Sequence, residues 1–109
     1  MSSKGLTAAT RHPLATLVAY GDSAVVSRAL MAGPAGTVTA FAFDGGESLS
    51  EHSAPYDALV QVLEGEAGIT IAGKRQVVPA GEVILLPANV PHAVDAPGRF
   101  KMLLTMIRA

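Results

Sequence analysis

Gly46-Glu-Ser-Leu-Ser-Glu-His52-Ser-Ala54-Pro-Tyr-Asp-Ala58-Leu-Val-Gln-Val-Leu-Glu-Gly65 and, further along, Gly81-Glu-Val-Ile-Leu-Leu-Pro87-Ala-Asn89-Val-Pro91-His92 are the stretches whose reading decides the fold. Each opens on a glycine, runs through short apolar segments and sets a histidine beside turn-forming residues. Side chains two apart on a strand point to the same face. Ala58, Val60 and Val62 therefore share one face of a strand that starts after a turn at Pro55-Tyr56-Asp57. If the segment before that turn is extended, His52 and Ala54 also face one way. His92 follows Asn89-Val90-Pro91, where the proline restricts the backbone and fixes the direction of the ring.

Beyond these stretches, the chain from Pro13 onward is a series of short apolar runs cut by turn residues. The candidate strands are Leu14–Tyr20, Ala24–Met31, Gly36–Phe43, Ala58–Leu63, Ala67–Ile71, Arg75–Val78, Val83–Leu86, His92–Val94 and Phe100–Ile107. Breaks fall at Gly21-Asp22, Gly33-Pro34, Asp44-Gly45-Gly46, Gly73-Lys74, Pro79-Ala80-Gly81 and Pro97-Gly98. Regular strands with Gly and Pro between them predict an antiparallel sandwich or barrel. Ala24–Met31 also fits a short helix; its brevity and the Gly33-Pro34 stop favour a strand. Residues 1–12 are polar, small and unpatterned, and read as a flexible arm ahead of a single domain over 13–109.

Half of the residues are hydrophobic and only 16% are charged, where about a quarter charged is usual. A small monomer hides that much apolar surface with difficulty, so the composition predicts a homodimer that buries an outer face. The alternative is a monomer with an Ala-rich surface. The last strand points the same way. Phe100, Met102, Leu104 and Met106 fall on one face, yet the opposite face (Lys101, Leu103, Thr105, Ile107) is also partly apolar, where a half-exposed strand should alternate cleanly.

A net charge of -1 with scattered Lys and Arg argues against nucleic acid. The absence of Cys excludes disulfides and thiolate metal sites. Met1-Ser-Ser-Lys-Gly-Leu-Thr lacks the apolar core of a signal peptide, and no apolar run is long enough to span a membrane. No membrane partner is expected, and a cytoplasmic location follows by default.

With these features in place, the chain resembles the cupin superfamily of small β-barrels. The first cupin motif is G-x5-H-x-H-x3-4-E-x6-G. Gly46, His52 and Gly65 match it, Ala54 replaces the second histidine and Ala58 replaces the glutamate. The second motif is G-x5-P-x-G-x2-H-x3-N. Gly81, Pro87 and His92 match it, Asn89 stands for the second glycine and Ala96 for the asparagine. The resemblance covers residues 36–96 and implies an all-β, single-domain jelly-roll barrel. In metal-bearing cupins the motif histidines and glutamate hold Fe, Mn, Ni, Cu or Zn. Only His52 and His92 carry over as metal ligands, so a divalent transition metal is at most loosely implied. Glu51, Asp57 and Gln61 have the wrong parity to substitute, and His12 reaches in only if the arm folds over the barrel mouth.

Replacing His and Glu by Ala removes charge and opens volume beside the two rings. The leading expectation is a small, partly apolar ligand anchored by His52 and His92, with Ala54, Ala58, Val60 and Val62 as walls. A metal-dependent enzyme (an oxygenase, isomerase or decarboxylase) and a structural or sensory module without a ligand are the alternatives. There is no Gly-x-Ser-x-Gly elbow beside Ser50 or Ser53, and no helix follows Gly45-Gly46 to cradle a phosphate.

Overall fold

The computed structural model describes residues 5–108. Among the described residues nine strands follow one another: β1 (Val25–Gly33), β2 (Gly36–Phe43), β3 (Ser48–His52), β4 (Asp57–Glu64), β5 (Glu66–Ile71), β6 (Lys74–Pro79), β7 (Val83–Leu86), β8 (His92–Asp95) and β9 (Phe100–Ile107). All pairings are antiparallel. They build a five-stranded sheet ordered β1-β2-β9-β4-β7 and a four-stranded sheet ordered β3-β8-β5-β6. The chain crosses repeatedly between the two sheets, giving the expected all-β jelly-roll barrel.

Gly36–Phe43, Val83–Leu86 and Phe100–Ile107 coincide with the strands read from sequence, and the other runs except Leu14–Tyr20 match within a residue or two. The β5–β6 hairpin differs slightly. Ile71 lies opposite Lys74, so the turn is Ala72-Gly73, both with positive φ (51° and 80°). That is what a two-residue turn of this hand requires. β3 is not among the candidate strands, because Ser-Leu-Ser-Glu-His carries too little apolar content to signal one.

One expected strand is absent. Leu14–Tyr20 forms a single 3-10 turn at Leu14–Thr16 and then runs irregularly. Its backbone is satisfied by side chains instead of a neighbouring strand. Arg28 Nη1 donates to the Leu17 carbonyl (3.0 Å) and Lys101 Nζ to the Ala15 carbonyl (2.7 Å). The segment is a strap across the outer face of the five-stranded sheet. Leu17 and Val18 bury there against Leu30, Ala40 and Ala42. Part of the apolar outer face noted in β9 is thus covered by the chain itself. Residues 1–4 of the expected arm lie outside the described residues; Leu6 donates its backbone N–H to the Leu30 carbonyl at 2.8 Å.

The strap is clamped by charge. Lys101 is only 8% exposed. Besides the Ala15 carbonyl, its ammonium faces Glu64 (3.8 Å) and lies 5.0 Å from the Tyr20 ring centre. Tyr20 donates its hydroxyl to Glu64 at 2.6 Å. Burial and that bond push the phenol well above its ordinary pKa, so it stays a donor.

Between the sheets sits the main core. Phe43 and Phe100 stack at 4.5 Å, with Met102, Ile69 and Val60 fully buried around them. Each such side chain contributes roughly 1.5–3 kcal/mol by burial. The β3–β4 and β7–β8 connections emerge at one end of the barrel. There Asn89 N–H donates to the Ala54 carbonyl (2.7 Å) and Ala88 N–H to the Asp57 carboxylate (2.8 Å), tying the two loops into one rim.

Candidate functional site

His52 ends β3 and His92 begins β8, and the two lie directly opposite each other. Their convergence depends on an irregularity. Leu49 faces Val94, but two residues on β3, Ser50 and Glu51, then stand against one on β8, Ala93, before His52 meets His92. Leu49 and Val94 belong to the core. Strict alternation from Leu49 would send His52 outward. The extra residue of the bulge returns it to the face shared by His92 and Val94.

The rings meet nearly edge to face, with centres 4.5 Å apart and planes at 69°. His92 is 8% exposed, whereas His52 stands at the exposed rim. Each ring is held by its own backbone neighbourhood. His52 Nδ1 donates to the Ser50 carbonyl at 2.9 Å and His92 Nδ1 to the Val90 carbonyl at 3.2 Å. A carbonyl only accepts, so each Nδ1 carries the hydrogen. In the neutral ring Nε2 is then left with a free lone pair. Burial lowers the His92 pKa below its ordinary value, and the nearby His52 ring lowers it further, against the opposing pull of the Val90 carbonyl. His92 is therefore neutral at pH 7, with Nε2 as an acceptor.

The motif residues around the pair have backbone reasons. Gly65 has φ of +72°, and a Cβ there would run into the Arg99 carbonyl. Asn89, which stands at a glycine position of the second motif, has φ of +65°, a conformation Asn tolerates better than most residues. The exchange keeps the rim loop's shape.

The four expected wall residues divide. Ala58 is 5% exposed, at the rim end of β4, and lies opposite Leu86 on β7 and Met106 on β9. Val60 and Val62 are deeper and fully packed in the core with Phe43, Phe100 and Met102. Ala54 lies beyond the end of β3, so strand alternation no longer sets its direction; it is half-buried, with its carbonyl bonded to Asn89. Two further residues share the inner surface. Ile71 on β5 is directly opposite His92, and Met106 is opposite Ala58. Alternation along β9 already grouped Met106 with Phe100 and Met102. Nothing in the local sequence pairs Ile71 with His92.

As a metal site the constellation is short of donors. Among the described residues no third His, Cys, Asp or Glu joins the pair. His12 bonds the Thr7 carbonyl of its own segment, and Asp57 is engaged by Ala88 N–H. Catalytic sites usually supply three protein ligands and structural ones four. Two imidazoles do not fit a tightly held resident ion.

The barrel agrees with comparison to known proteins. Residues 40–108 match the family model described as the cupin domain. The chain belongs to the cupin family. A Desulfitobacterium hafniense cupin superfamily protein is 34% identical, with a TM-score of 0.89 over 97% of both chains. A conserved Streptococcus pyogenes protein of unknown function is 33% identical, with a TM-score of 0.91 over 96% of this cupin and 92% of that chain. A Leptotrichia buccalis cupin 2 conserved barrel domain protein is 46% identical, with a TM-score of 0.85 over 87% of this cupin but only 46% of that longer chain. No curated protein matches this cupin. Among the described residues, no helix is long and apolar enough to cross a membrane.

Proposed function

We propose that this cupin binds a small, partly apolar molecule at the rim end of its barrel, through the Nε2 atoms of His52 and His92. The observation that carries the reading is the anchoring of both rings by Nδ1 to backbone carbonyls, at 2.9 and 3.2 Å, with ring centres 4.5 Å apart. With Nδ1 bound to a carbonyl, the neutral His92 ring accepts a hydrogen bond at Nε2, so the site favours a ligand with an O–H or N–H donor. Ala54 and Ala58 offer methyl groups where cupin motifs carry a histidine and a glutamate. They suit an uncharged, small apolar body and would leave a carboxylate or phosphate poorly paired. Ala58, Ile71 and Met106 supply apolar surface, with Val60 and Val62 beneath as floor.

Metal-dependent chemistry of the oxygenase, isomerase or decarboxylase kind is the weaker reading. It would have to complete the coordination of any divalent ion from water and substrate, since the chain supplies two donors. The reading includes a cytoplasmic setting, since a cysteine-free chain has no need of an oxidising one.

The test is a titration with phenol, benzyl alcohol and their methyl ethers, followed by NMR of the histidine ring protons. The hydroxyl compounds are expected to shift both rings and the ethers to bind at least about tenfold more weakly, a loss of about 1.4 kcal/mol. Binding that survives His52→Ala/His92→Ala would refute the role of the pair.

A further inference from the structure

Four short connections, residues 44–47, 65, 80–82 and 96–99, carry the chain from one sheet to the other. Packed sheets lie about 10 Å apart, so links this short join strands that stand over one another. They stack β3 on β2, β8 on β9, β5 on β4 and β6 on β7, which is the order the strands already keep within each sheet. Among the described residues no strand stands over β1. Its inward-facing Ser27, Ala29 and Ala32 are accordingly exposed.

This stacking decides what the histidines face. At the rim the four-stranded sheet presents the row His52, His92, Ile71 and Lys74, with Lys74 exposed on the edge strand. The five-stranded sheet presents Ala32, Thr37, Met106, Ala58 and Leu86. His92 therefore stands over Met106, Ile71 over Ala58, and His52 over Thr37. The next row inward on the five-stranded sheet is Ala29, Thr39, Leu104, Val60 and Ile84. Each of these two rows has one polar side chain, and both are on β2. Below Thr39 the same face of β2 continues as Phe41 and Phe43, which belong to the core packing.

Thr37 and Thr39 are half-buried. Neither hydroxyl bonds another group among the described residues, and no enclosed side-chain oxygen is left unpaired there. Both hydroxyls are therefore wet. A molecule that settles beside the histidines and displaces this water has to bring an acceptor for them, because an O–H shut away without a partner is costly.

We propose that Thr37 and Thr39 determine the specificity of the ligand site, selecting a small neutral hydroxy-carbonyl compound. The inference rests on the histidine-site reading above and adds its second polar contact. The ligand's O–H donates to His92 Nε2, and its carbonyl oxygen accepts from the threonine hydroxyls. Its apolar remainder lies over Met106, Ala58 and Leu104. Imidazole and threonine side chains fill most of the gap of about 10 Å between the sheets, so the two ligand oxygens are a few bonds apart, as in an α-hydroxy ketone. The one lysine of the rim rows, Lys74, stands on the edge strand two places from His92, so the compound is uncharged.

The test compares phenacyl alcohol with β-methylphenethyl alcohol, in which a methyl group replaces the ketone oxygen at nearly the same shape. Each is titrated into the native chain and into Thr37→Val/Thr39→Val, and the histidine ring protons report the affinity by NMR. Valine keeps the shape of threonine and its preference for strands, and circular dichroism checks the fold. Phenacyl alcohol is expected to bind the variant about tenfold more weakly than the native chain, while the methyl isostere binds the variant as well or better. Phenacyl alcohol that shifts the histidines equally well in the variant, or an equal loss for both compounds, overturns the role of the threonines and leaves the histidine site standing. Failure of both compounds to shift either ring in the native chain overturns the two readings together.

Discussion

If Ala54 and Ala58 border the two imidazoles, rebuilding the missing donors at those positions should create a metal site where the native chain has two ligands. The perturbation is Ala54→His with Ala58→Glu. Ala58 is 5% exposed and lies between Leu86 and Met106 in the sheet. Without metal, the new carboxylate sits at a buried position with no partner and costs at least about 1–3 kcal/mol. With metal, four donors converge: the new His and Glu together with His52 and His92. A divalent ion at a hundred times its dissociation constant then stabilises the folded state by about 2.7 kcal/mol. The apo variant should therefore unfold at lower urea than the native chain and recover most of the difference on adding Co²⁺ or Zn²⁺. Urea denaturation with and without the ion reads the energy, and the visible absorption of Co²⁺ reads the coordination. His92→Ala in the same background should abolish the gain. A folded variant that gains no metal-dependent stability over the native chain would refute the reasoning, because Ala54 and Ala58 would then not border the rings.

Other outcomes follow from the same geometry. The folded His92 ring binds a proton less readily than the unfolded chain does, so its contribution to stability is complete above about pH 6.5 and declines as pH falls toward the lowered folded pKa. Urea titrations between about pH 5 and 8 should show that decline, and His92→Gln should flatten it. Asp44 and Asp95, lowered by their hydrogen bonds to Arg99 and Arg75, lose their contributions separately, as pH falls below about 4. Gly65→Ala should cost at least about 2 kcal/mol in thermal or urea unfolding, since the positive φ and the Arg99 carbonyl both oppose a Cβ. Lys101→Ala removes the cation that holds the Ala15 carbonyl and Glu64. It should lower stability by about 2 kcal/mol and accelerate hydrogen exchange at Leu17 and Val18; unchanged exchange there would show that the clamp does not hold the strap.

Much of the barrel could be read from local patterning. β2, β7 and β9 are apolar runs bounded by Gly, Pro or Asp, and period-two alternation already grouped Phe100, Met102, Leu104 and Met106 on one face. β3 escaped that reading because it is a short, polar edge strand. Leu14–Tyr20 has strand-like composition but pairs with no strand; its apolar residues are used against a sheet face, and Arg28 and Lys101 cap its carbonyls. The histidine pair was legible as two positions in a spaced frame. The parity assumed for Ala54 was not, because β3 stops at His52.

The order of residues alone determined the strand periodicity, the spaced frame of Gly46, Gly65, Gly81 and Pro87 around the two histidines, and the loss of a histidine and a carboxylate at Ala54 and Ala58. All of these are properties of single residues and their spacing along the chain. Only the tertiary structure decided that a bulge turns His52 toward His92, that Ile71 and Met106 share their surface, and that the strap covers part of the outer sheet. Those facts are pairings between segments distant in sequence. Strand register and face packing set them through hydrogen bonds and burial that no local pattern encodes.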